Sequence, residues 1–120
     1  MLITGSWRTE NQLEMWDLRE EKPNPIPIKW ENSKDEAAVK IYTTQFCQAN
    51  SRFMLAGGCG SNECRIYDLL PDTKSSPTVL ASMKNLSRAC YTVDFSNQGD
   101  RFAFSGGDGY IRVLDIKKPE

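Results

Sequence analysis

The sequence predicts an all-β fold of repeated antiparallel units, and three observations carry that expectation. The first is the stretch Ala89 to Ile116, ACYTVDFSNQGDRFAFSGGDGYIRVLDI, which reads as three short strands joined by two tight turns. Tyr91, Val93 and Phe95 alternate with Thr92, Asp94 and Ser96, the period of two that a strand with one buried face requires. Asn97-Gln98-Gly99-Asp100 breaks the pattern and Phe102 to Ser105 resume it. At Gly106-Gly107-Asp108-Gly109 the glycines are expected to supply the positive φ of a hairpin turn, before Ile111 to Ile116 complete the unit. The second observation is repetition. Tyr42, Phe46, Phe53 and Gly57 precede Tyr91, Phe95, Phe102 and Gly106 by a constant 49 positions, and Asp68 precedes Asp115 by 47. The third is a partial copy at the start, where Leu2-Ile3-Thr4-Gly5 matches the strand before the glycine and Leu13 to Leu18, LEMWDL, matches the last strand. Such a unit cannot bury its own faces and makes sense only among siblings.

These copies resemble WD40 repeats, whose form V-x-F-S-x-x-G, a hydrophobic strand ending S-G, and D-G-x-I-x-V-x-D is followed by the third copy. Trp16-Asp17 is the closest match to the WD ending itself. The resemblance implies a partial WD40 β-propeller made of antiparallel four-stranded blades. The repeat is just longer than the usual roughly 40 to 45 residues, with the excess in loops such as Cys59 to Glu63. The family's hydrogen-bonded tetrad of turn aspartate, serine or threonine, tryptophan and histidine is incomplete in every copy. Ser105 and Asp108 match in the third, where Leu114 holds the tryptophan position; Thr4 and Trp16 match in the first; the chain contains no histidine. Packing rather than that network should therefore hold these blades.

In chain order, residues 1–30 form a partial blade with second and third strands and a short outer strand at Ile26 to Trp30, whose prolines suit an edge. The charged, proline-broken run Arg19 to Pro25 is a loop. Residues 31–82 make a complete blade: a polar connector from Glu31 to Glu36, strands at Lys40 to Cys47, Phe53 to Ala56 and Cys64 to Leu69, a loop at Pro71 to Pro77 and an outer strand at Thr78 to Ser82. Residues 83–120 make a blade without a clear outer strand. About two and a half blades cannot close a ring that usually needs roughly four to eight. An open arc leaves bare apolar faces and strand edges, so the chain is expected to be a fragment of a larger propeller or to receive its other blades from partner chains.

With 15 basic and 16 acidic side chains and a net charge of −1, nothing favours nucleic acid or an anionic membrane as a partner. No apolar run approaches the roughly 20 residues of a membrane span, and the start, MLITGSWRTEN, lacks the features of a signal peptide. A cytoplasmic location with reduced thiols follows, and family habit suggests cytoskeletal or ciliary assemblies.

Catalytic chemistry finds little support. The absence of histidine removes the commonest general base and metal ligand. Asp17, Asp68 and Asp115 share one repeat position and are read as caps for the following loop through backbone N–H groups; Asp35-Glu36 is read as a solvated connector. Cys59 and Cys64, with Cys47 and Cys90 as a notional second pair, invite a zinc reading, but Cys47 ends one first strand and Cys90 begins another, which puts them near opposite faces; all four are read as buried or semi-buried reduced thiols. The glycine-rich stretches are followed by strands rather than helices, which excludes a phosphate-binding loop. No enzyme activity, cofactor or metal is expected.

Function then follows from the resemblance: propellers of this family present loops to protein partners from a rigid frame. The face gathering the loops before each first strand, and between second and third strands, should carry Trp7, Arg8, Glu10, Asn62, Glu63, Arg88, Asp108 and Tyr110 as partner-binding residues. Trp7 and Arg8 lead, because an exposed Trp-Arg pair has the character of an interface anchor; the competing arrangement folds Trp7 back over its own blade. The alternative function is an accessory segment beside a catalytic domain elsewhere in a longer chain.

Overall fold

The computed structural model describes residues 1–30, 39–50, 52–69, 77–84 and 86–116; the expected connector at 31–36 and most of the loop at 71–77 lie outside them. The described residues form ten strands and no helix. They are β1 (Leu2–Gly5), β2 (Leu13–Trp16), β3 (Ile26–Pro27), β4 (Lys40–Phe46), β5 (Phe53–Cys59), β6 (Cys64–Asp68), β7 (Thr78–Met83), β8 (Cys90–Phe95), β9 (Arg101–Gly106) and β10 (Ile111–Asp115). All pairings are antiparallel, in three sheets ordered β1-β2-β3, β4-β5-β6-β7 and β8-β9-β10. The central sheet is four-stranded and its neighbours are three-stranded. No helix among the described residues is long and apolar enough to cross a membrane.

The central sheet is buried on both faces, and its sequence shows why. Strand alternation sends Phe53 and Leu55 to one side and Met54 and Ala56 to the other, and all four are apolar. Phe53, Leu55, Cys64 and Ile66 pack with Cys90, Val93, Phe102 and Phe104 of the third sheet. Met54, Ala56 and Tyr67 pack with Leu13, Met15 and Ile28 of the first. The three sheets thus stack face on face with two apolar layers between them. Ile111 and Val113 alternate with the residues on that layer and lie on the far face of the third sheet, 78% and 61% exposed.

The repeat is reproduced in the backbone down to an irregularity. In β4 the register passes from Ile41↔Gly58 to Thr43↔Gly57, which makes Tyr42 the extra residue of a β-bulge. In β8 it passes from Cys90↔Gly106 to Thr92↔Ser105, which makes Tyr91 the extra residue. The same register corrects the sequence alignment. Phe46 pairs with Met54 and Phe95 with Phe102, so Met54, not Phe53, is the counterpart of Phe102. The turn between β4 and β5 is one residue longer than that between β8 and β9, and the 49-residue spacing slips there.

The glycine stretches also differ from expectation. β5 runs through Gly57 and Gly58 to Cys59, and β9 through Gly106. Of Gly106, Gly107 and Gly109 only Gly109 has a positive φ, 82°. Gly58 and Gly106 serve close approach instead: a Cβ would collide with the carbonyl oxygens of Lys40 and Ala89 respectively, where the bulged strand crowds its partner. Other bounds shift modestly. The first outer strand is confined to Ile26–Pro27, with Pro27 opposite Glu14, and β7 ends at Met83.

Candidate interaction surface

The loops between β1 and β2 and between β5 and β6 emerge at one end of the stack and are fastened to the next sheet. Ser6 C=O accepts from Ile41 N–H at 3.1 Å, at the start of β4, and Asn62 C=O accepts from Leu86 N–H at 3.3 Å, just before β8. Asn11 and Asn62 turn these loops with φ of 54° and 49°, a conformation asparagine tolerates better than most residues. The backbone that carries the side chains of this end is therefore tied across sheets.

Three aromatic rings line up there. Trp7 meets Tyr42 edge to face with centroids 5.2 Å apart, and Tyr42 meets Tyr91 in the same way at 5.1 Å. Each ring comes from a different sheet's territory, so the row crosses all three. The rings remain open to solvent: Trp7 is 57% and Tyr91 53% exposed. Bulging explains the position of the two tyrosines, because the extra residue of a bulge is released from the ladder and its side chain is re-aimed. Lys40 Nζ lies 5.4 Å from the Trp7 ring centroid, and the Cys59 thiol donates to Tyr42 Oη at 3.9 Å.

Trp7 therefore leans onto the neighbouring sheet and stays exposed, unlike the fold-back over its own blade. Arg8 is committed within its loop, donating to the Asn11 carbonyl at 2.9 Å and pairing with the Glu14 carboxylate. Glu10 and Arg88 are exposed, and Tyr110 is 66% exposed beside Arg112. Asn62 is half-buried. Glu63 departs from the expected surface position: it is buried, and its carboxylate accepts from Arg65 Nε at 2.9 Å and Nη2 at 3.1 Å. The Arg65 guanidinium in turn sits 4.1 Å from the Trp30 ring centroid, so this acid belongs to the interior. Asp108 closes its own turn, accepting from Tyr110 N–H at 3.1 Å and Arg112 Nη1 at 2.8 Å, and these bonds hold its carboxyl below the ordinary range.

Tyr42 and Tyr91 escaped the list of surface residues drawn from sequence. Strict alternation would put Tyr91 on the same face as Val93 and Phe95, and the bulge takes it off that face. Their identical repeat position was the available signal.

Of the three repeat-position aspartates, Asp17 accepts from Arg19 N–H at 3.0 Å and from its guanidinium, which lowers its pKa to about 2. Asp68 is engaged by Arg52 at 3.1 Å and Asp115 by Arg101 at 3.0 Å, so the same repeat-position aspartate is ion-paired in two copies, though by arginines one place apart in the register. These two correct the reading of all three as backbone caps. In the first sheet Trp16 Nε1–H donates to Thr4 Oγ1 at 3.1 Å.

All four cysteines are free thiols; Cys47, Cys64 and Cys90 are buried and Cys59 is half-buried. The structure couples Cys64 to Cys90, across the second apolar layer, rather than to Cys59. Their mutual hydrogen bond, reinforced by burial, pushes the Cys64 thiol pKa up, and the same bond lowers that of Cys90 against the effect of burial. Among the described residues no group of three or more histidines, cysteines or carboxylates is placed to hold a metal.

No family model matches the chain, and no curated protein matches it significantly.

Proposed function

We propose that this chain is a non-enzymatic protein-binding scaffold, part of a WD40-type propeller, that engages a partner through the row Trp7, Tyr42 and Tyr91. The observation that carries the reading is the row itself: large exposed rings, two of them placed by repeated bulges and the third by the β1–β2 loop, on a frame of stacked sheets. Aromatic side chains with little rotamer freedom on a rigid support are what interface anchors consist of. The blade reading is supported by the face-on-face stacking of antiparallel sheets, the bulge that recurs at Tyr42 and Tyr91, and the Trp16–Thr4 hydrogen bond, which joins two of the tetrad positions. The open apolar face at Ile111 and Val113 supports further sheets supplied by the same polypeptide or by another chain.

Quantitative affinity capture tests the reading, with wild-type bait compared against Tyr42→Ala/Tyr91→Ala and against Arg101→Ala. Arg101 lies at the other end of β9 from this surface. Partners should be lost with the double tyrosine variant and retained with Arg101→Ala. Identical recoveries from all three baits would refute the role given to the aromatic row.

A further inference from the structure

We infer that the row docks an extended acidic segment of a protein partner, with an apolar side chain on the rings and carboxylates held by Lys40 and Arg88. This rests on the scaffold reading above and adds the chemistry of the partner. Two cations flank the row. Lys40 Nζ is 5.4 Å from the Trp7 ring centroid. At the other end, a Cβ placed on Gly107 would meet Arg88 Cβ at 2.9 Å and Tyr91 Cε2 at 3.5 Å, so the Arg88 stem and the Tyr91 ring border the same glycine. Neither cation has an ion pair among the described residues, whereas acids of this end's loops and strands are occupied by other arginines: Glu14 by Arg8, Glu63 by Arg65 and Asp108 by Arg112. Glu10 is the exception, exposed and without an ion pair among the described residues.

Among the described residues the face therefore offers uncommitted positive charge, although the whole chain carries −1. Complementary potential selects a ligand of the opposite sign and speeds its encounter. An extended segment sends alternate side chains to one face at a spacing of about 7 Å, which lets acids flank an apolar residue on a single side. The rings supply apolar contact for that residue, and the cations set the sign of its neighbours.

Selection of short random displayed peptides on the full chain tests the proposal. Enriched peptides should carry Asp or Glu around an apolar residue. They should bind about tenfold more weakly to the Lys40→Glu/Arg88→Glu variant, and more weakly to wild type as salt rises. Selection on the charge-reversed variant should enrich Lys and Arg instead. Enriched peptides without acids that still require Tyr42 and Tyr91 would overturn the acidic class and leave the scaffold reading standing. Peptides indifferent to the tyrosines, or no enrichment at all, would overturn both. Tighter binding of a single-stranded RNA homopolymer than of any selected peptide would reassign the surface to nucleic acid. Circular dichroism checks that each variant is folded, and the charge reversal, which changes only exposed side chains, keeps the test open where Tyr→Ala fails to fold.

Discussion

Tyr42 and Tyr91 stand 49 residues apart in the sequence, occupy the same bulge in two sheets, and meet edge to face with an interplanar angle of 76°. A repeat has here placed two copies of one side chain in direct contact. Such a pair is worth about 0.5 to 1.5 kcal/mol beyond the area it buries. A double-mutant cycle of Tyr42→Ala and Tyr91→Ala, read by urea unfolding, should return a coupling of about that size. Strict additivity would mean that the rings do not interact in solution.

The bulges make a sharper prediction at the glycines opposite them. Gly106→Ala should destabilise by about 1 to 3 kcal/mol, because the obstacle is the Ala89 carbonyl oxygen, part of the backbone, rather than a movable side chain. Gly109→Ala should also cost stability for a different reason: its Cβ would meet nothing within 4 Å, yet its φ of 82° is strained for alanine. Thermal melts of the two variants check this, and an unchanged Gly106→Ala would contradict the observed register.

Two ion pairs at one repeat position should differ in worth. Asp68 is nearly buried beside Arg52, its side chain 8% exposed, whereas Asp115 is 72% exposed beside Arg101. Breaking a buried pair strands an uncompensated charge, and breaking an exposed one removes about 0 to 1 kcal/mol. Arg52→Ala should therefore lower the unfolding midpoint clearly more than Arg101→Ala in the same denaturant series.

Tyr67 should govern the alkaline limit. Burial raises its hydroxyl pKa from 10.0 to about 12, because desolvation of the phenolate outweighs the opposing pull of the Arg65 guanidinium. With the folded value above the unfolded one, the resulting stabilisation is complete below the ordinary tyrosine pKa and is lost as pH rises towards the folded value. Circular dichroism against pH should show wild type losing stability across that interval and Tyr67→Phe losing less of it.

The first apolar layer gives the largest expected loss. Leu13 and Met54 are both fully buried where the first and central sheets meet. Leu13→Ala should cost about 2 to 5 kcal/mol by calorimetry, as deletion of a packed leucine leaves a cavity.

The strands and their multiplicity were legible in the sequence. Alternation at Val93 and Phe95, the short polar breaks and the recurring aspartates are local signals, and period-two patterning is a property of the backbone rather than of its neighbours. What the sequence could not settle was register and exposure. The slip of one residue before Met54 is absorbed in a turn, where spacing is cheap to change, and it became visible only when Phe46 paired across the sheet. The loop position of Glu63 reads as a surface acid, yet Arg65 and Trp30 enclose it, and Tyr91, in phase with Val93 along the strand, is turned off that face by the bulge. Both outcomes depend on which strand lies opposite and which sheet lies behind. Those are long-range contacts, decided by the tertiary structure.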